Sequence, residues 1–174
     1  MKNKELLLFG ILILIITFTR CIIPSEMYNI SPMAAVVLFA AVMFSNKKQA
    51  FAISFTSLLL SDIILGIHNT MLFTYLSFAI IFMIGKYFSP NSVPKVVAIS
   101  LVGSILFYFI TNTGYWMMNM PNTGIGGLIT ALIDGLPFFR NTIIGDLSFN
   151  TILFGIAYFY NYAIKSRHYN TVIA

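Results

Sequence analysis

Two aspartates stand inside apolar stretches of this chain: Asp62 in SFTSLLLSDIILGIHN, Ser54 to Asn69, and Asp146 in LPFFRNTIIGDL. An ionised carboxylate in hydrocarbon costs about 2.5–3.5 kcal/mol on insertion scales, so something must offset each one. Paired with Arg20 and Arg140, the two acids form buried ion pairs that fix helix register. Brought within a few ångström of each other, they form a carboxylate pair for general acid–base work. Gathered with other polar groups around a cavity, they bind a small molecule.

The acid–base reading has the least support. An intramembrane aspartyl protease holds one aspartate in a G-x-G-D context, and IIGD supplies only the second half of it, so the chain is not predicted to be an enzyme. Metal chemistry is not expected: His68 and His168 fall on opposite sides of the membrane, and Cys21, the sole cysteine, should pack as a small apolar residue. No cofactor is expected, and no G-x-x-x-x-G-K-[ST] loop is present to hold ATP.

The elements that position these residues follow from composition. Of 174 residues, 59% are hydrophobic and 9% charged, with 17 Phe and 9 Tyr. Soluble domains carry about 25% charged residues, so this is an integral membrane protein, in contact with lipid and organised as one domain over 1–174. A spanning helix needs about 20 mostly apolar residues. Six runs are of roughly that kind: Leu6 to Ile23, Pro32 to Ser45, Ala50 to Ile67, Met71 to Tyr87, Lys95 to Trp116 and Asn141 to Ile164. The first follows Lys2 and Lys4 but no small-x-small cleavage site comes after it, which predicts a retained helix. A seventh apolar piece, Thr123 to Phe139, contains Asp134 and Pro137 and reads as a short outer helix, interfacial or re-entrant. The fold class is therefore all-α, a six-span polytopic bundle.

Charge sets the orientation. With the N-terminus inside, Lys2, Lys4, Lys47, Lys48, Lys86, Lys95, Lys165 and Arg167 are cytoplasmic, and only Arg20 and Arg140 are outside. That asymmetry follows the positive-inside rule and predicts both termini in the cytoplasm. The net charge of +5 arises from scattered juxtamembrane residues facing headgroups, which gives no case for nucleic acid.

Topology then gathers the polar residues. At about 1.5 Å per residue, Asp62 lies roughly 18 Å up the third helix and Asp146 about 7 Å below the outer surface. Arg20, His68, Asn69, Thr111, Asn112, Trp116, Arg140 and Asn141 sit at the same side, while the inner halves hold almost nothing ionisable. Thr142, Asp146 and Asn150 recur at i, i+4, i+8 and should face inward on one stripe. Ala50, Ser54, Ser57 and Ser61 form a small-residue stripe for close helix contact. The glycines of NTGYWMMNMPNTGIGGLITALIDGLPFFRN allow that connection to close over a bound molecule, or it lies in the interface as packing.

The segments NISPMAAVVLFAA, SDIILGIH, FYFITNTGYW and LPFFRNTIIGDL together resemble a family of bacterial membrane proteins regarded as transport proteins, similar in turn to the substrate-binding S components of energy-coupling factor transporters. The resemblance covers roughly Arg20 to Gly155. It implies a bundle with both termini inside, in the bacterial cell membrane, that captures a small molecule such as a vitamin or its precursor from the outer side. It also implies substrate contacts in the loops after the first, third and fifth helices, here Arg20 to Ser31, His68 to Thr70 and Thr113 to Arg140. One departure concerns partners. S components dock on an energising module through an A-x-x-x-A pattern on the first helix, and LLLFGILILIITFT has no alanine; Ala34, Ala35, Ala40 and Ala41 lie on the second. An energising ATPase module is then not the expected partner.

These readings converge on a substrate-binding membrane protein whose pocket residues are Arg20, Asp62, His68, Asn112, Trp116, Arg140, Asp146 and Asn150. The two arginines suggest a ligand with a carboxylate or phosphate, unless Asp62 and Asp146 neutralise both. The alternative is a structural or interaction protein, with its polar groups paired and no cavity among them.

Overall fold

The computed structural model describes the backbone of 3–22, 30–88 and 92–173, and the side chains of these residues between 6 and 162. Lys2, most of the connection from Arg20 to Ser31, and the side chains of Lys4, Lys165, Arg167 and His168 lie outside the described residues. Among the described residues six helices follow one another: α1 Asn3–Thr19, α2 Met33–Met43, α3 Lys47–Leu65, α4 Met71–Phe88, α5 Val93–Asn119 and α6 Gly124–Ile173. Four of them, α3, α4, α5 and α6 to Tyr162, are long and apolar enough to cross a membrane. Large apolar side chains such as Leu7, Ile63, Leu72, Phe109 and Phe159 are exposed, whereas Ser54, Ser57, Ser77, Ser100, Thr142 and Asn150 are buried. This inside-out distribution fits a multi-pass membrane protein, whose exposed side chains meet lipid and whose polar groups pair within the bundle.

The second helix departs from expectation. Its 11 residues rise about 16 Å, roughly half of a bilayer core. Every residue from Met33 to Ala41 is buried, because α2 runs through the middle of the bundle against α3, α4 and α6, and touches α1 and α5. A helix that is apolar all round belongs in a core. Pro32 opens it; at its other end the Lys47 ammonium donates to the carbonyls of Ala41 and Phe44, both at 2.7 Å, and supplies donors that the last turn lacks. The expected span Pro32 to Ser45 is thus an internal plug, and its alanines face protein.

The other long correction is α6. Thr123 to Phe139 is no separate outer helix: residues from Gly124 onward form one helix of 50 residues, and only Met120 to Thr123 connect α5 to it. Pro137 costs α6 a backbone bond, but packing along α5 holds the helix together. Tyr108 donates its hydroxyl to the Leu132 carbonyl in the turn before the proline. At Gly135, α5 comes so close that an added Cβ would lie 2.3 Å from the Asn112 side-chain oxygen. Gly127, Ala131, Gly135, Thr142, Asp146 and Asn150 continue one buried stripe down the helix. That stripe contains the predicted Thr142–Asp146–Asn150 series; likewise Ala50, Ser54, Ser57 and Ser61 on α3 are all buried.

Candidate functional site

The short α2 leaves a space. Its first residues meet α6 near Gly145, where an added Cβ would stand 3.1 Å from the Ser31 amide nitrogen, while α6 begins some 20 residues, about 30 Å, further up. The neighbouring helices continue past this point, and among the described residues no helix fills the column beyond the N-terminus of α2. A cavity of about 940 Å³ lies there. Ile30, Ser31 and Ala34 reach it from α2 and the residues before it, Arg20 from the end of α1, and His68 from the α3–α4 connection. Thr74 and Phe78 line it from α4, Tyr108, Thr111 and Asn112 from α5, and Asp134, Thr142 and Asp146 from α6. Asp134 and His68 are exposed and mark its open side.

Four of the eight predicted residues line this cavity: Arg20, His68, Asn112 and Asp146. Asp62 stands behind Arg20 and is only 1% exposed. The Arg20 guanidinium donates to Asp62 Oδ1 at 2.5 Å and to Ser61 Oγ at 3.0 Å, and this charge-assisted contact offsets the burial of the carboxylate. Thr17 Oγ1 is buried without a hydrogen-bond partner among the described residues, and the Tyr75 side chain lies close enough to Asp62 to interact with it. Asp62 is thus one half of an ion pair that turns its partner's other face to the cavity.

Of the two ion pairs that the alternative reading allowed among Arg20, Arg140, Asp62 and Asp146, only Arg20–Asp62 forms among the described residues. Arg140 is exposed and lines no part of the cavity. Asp146, 2% exposed, instead accepts a bond of 2.6 Å from the Ser104 hydroxyl. One turn further along, Asn150 Nδ2 donates to Ser100 Oγ at 2.9 Å. The two contacts are successive rungs between antiparallel α5 and α6, and Asn150 belongs to the rung below the cavity. Trp116 is also outside it, packed toward Gly127 with its indole N–H buried and without a partner among the described residues. Asp62 and Asp146 share no hydrogen-bond partner, and α2 separates the helices that carry them. Among the described residues no three His, Cys, Asp or Glu gather as metal ligands.

Ser31 and Asp134 fall within the loop segments that the resemblance implied, though neither was singled out, and sequence reasoning did not select Thr74, Phe78 or Tyr108. Thr74 and Phe78 are spaced i, i+4 on α4, a signal open to inspection.

Fold and site together define, among the described residues, an all-helical protein with four membrane-length apolar helices and a largely apolar cavity, furnished with a few polar groups, at one end of the bundle. The chain belongs to a family of unknown function, DUF6580, whose model matches residues 1–169. No curated protein and no solved structure matches it.

Proposed function

We propose that the protein is the substrate-binding part of a transport system, a relative of the energy-coupling factor S components, and that it captures a small molecule in the cavity beyond α2. The observation that carries this reading is the cavity itself: about 940 Å³, largely apolar, with polar groups converging from the end of α1, α4, α5, α6 and the α3–α4 connection. Small-molecule sites are concave, largely apolar and furnished with a few convergent polar groups, at volumes of about 300–1,000 Å³. The concentration of lysines at the other end of the bundle supports an orientation in which the cavity faces outward from a bacterial cell membrane with both termini in the cytoplasm. The exposed face of α1 carries Leu7, Leu8, Ile11 and Ile15 in place of small residues, and the alanines of α2 are buried. Both features favour a protein that works alone or with a partner unlike the usual energising module.

Orientation is tested by labelling intact cells with a membrane-impermeant thiol reagent. A cysteine at Asn122, beside the cavity end, should react, and one at Asn46 should not. The reverse pattern overturns the outward-facing site.

A further inference from the structure

We infer that the cavity selects a small organic cation, a protonated amine or quaternary ammonium on a partly apolar body, with Asp146 as the anchor for its charge. The inference rests on the binding reading above and specifies the ligand class of that same cavity.

The charges of the lining residues decide the sign. Among the described lining residues Arg20 is the one lysine or arginine, and its guanidinium is already engaged by Asp62 and Ser61. Arg140, the other arginine that would have drawn an anion, is exposed outside the cavity. Asp146 has no cationic partner among the described residues; its one bond comes from the Ser104 hydroxyl, which carries no charge. A second acid, Asp134, lies at the exposed part of the same wall. The positive end of α2 reaches the floor of the cavity, but a helix terminus is equivalent to about half a charge, less than either aspartate. An anionic ligand would therefore meet two acids and one arginine whose charge is spent, whereas a cation finds a buried acceptor to displace the desolvation cost of both.

The apolar walls agree with that sign. Phe78, Phe107, Tyr108, Phe138 and Phe139 line the cavity. Aromatic faces attract ammonium groups, most strongly where the site excludes water, and provide apolar area for the remainder of the ligand.

The test uses three probes of similar shape and different charge, phenethylammonium, 2-phenylethanol and 3-phenylpropionate, at millimolar concentration. The reporter is a cysteine at Thr111, on the cavity wall, in full-length protein with Cys21→Ser, and the readout is the rate of its reaction with a thiol reagent. The ammonium should slow labelling and the carboxylate should not. Asp146→Asn keeps the shape that Ser104 contacts and should weaken that protection about tenfold or more, the scale for losing one desolvated charge partner. Protection by the alcohol or the carboxylate equal to that by the ammonium overturns the charge assignment and leaves cavity binding intact. Ammonium protection undiminished in a folded Asp146→Asn protein overturns Asp146 as anchor. No protection by any probe overturns both the ligand class and the binding reading. The wild-type charge series decides the sign even where the variant does not fold.

Discussion

Removing either partner of the Arg20–Asp62 pair should cost stability, but unequally, and the inequality follows from where the two charges lie. Asp62 is 1% exposed, while the Arg20 side chain is 20% exposed and borders the cavity. Arg20→Met leaves a carboxylate with no cation in a dry helix interface. Breaking a buried pair in this way costs about 3–5 kcal/mol. Asp62→Asn leaves a guanidinium that still reaches the amide oxygen, Ser61 Oγ and the cavity, so its cost should be nearer about 1.5–3 kcal/mol, the net value of one charge-assisted hydrogen bond. For a chain of this length about 1 kcal/mol moves Tm by roughly 2–4 °C, which predicts a loss of roughly 6–20 °C for Arg20→Met and roughly 3–12 °C for Asp62→Asn. The assay is thermal unfolding in detergent, all variants scanned at one rate. Arg20→Met combined with Asp62→Asn should recover most of the loss, because no ionised group is then left unpaired. Equal losses from the two single changes, or a double variant no better than Arg20→Met, would refute the pairing as the reason Asp62 is tolerated.

Other outcomes follow from the same geometry. Lys47→Met strips the carbonyls of Ala41 and Phe44 of their side-chain donor and should lower stability by about 1–3 kcal/mol, read as Tm in the same assay. Leucine at Ala35, fully enclosed in α2, overpacks the centre of the bundle and should cost about 1–3 kcal/mol, against a near-neutral result for leucine at an exposed position. Backbone amides from Gly127 to Phe139 should exchange slowly in the unliganded protein, at rates comparable with the paired part of α5, because they belong to α6 and do not form a mobile cover. Fast exchange there that slows only on ligand addition would restore the lid.

Much of the scaffold was readable. The α3, α4 and α5 helices lie within a few residues of the apolar runs that predict them, and the stripes Ala50–Ser61 and Thr142–Asn150 are buried because helical spacing alone puts each set on one face. What was not readable concerns neighbours. Hydropathy scores MAAVVLFAAVM as membrane-compatible whether lipid or protein surrounds it, and only its length of 11 residues hinted that protein does. Pro137 and Asp134 carry local signals for a break, and packing on α5 overrides them. A pairing of Arg140 with Asp146 could have been excluded from spacing alone: six residues on one helix lie about 120° apart around the axis, on different faces. The cavity was the least legible feature, since it exists where α2 stops and its neighbours continue.

The most direct measurement is mass spectrometry of small molecules that co-purify with the wild-type protein and with Thr111→Trp. The indole would project from α5 into the cavity, leaving the helix contacts in place. The account predicts a small molecule retained by the wild-type protein and absent from a folded Thr111→Trp protein. The same molecules recovered from both, or none from the wild type, would contradict a ligand in the cavity beyond α2.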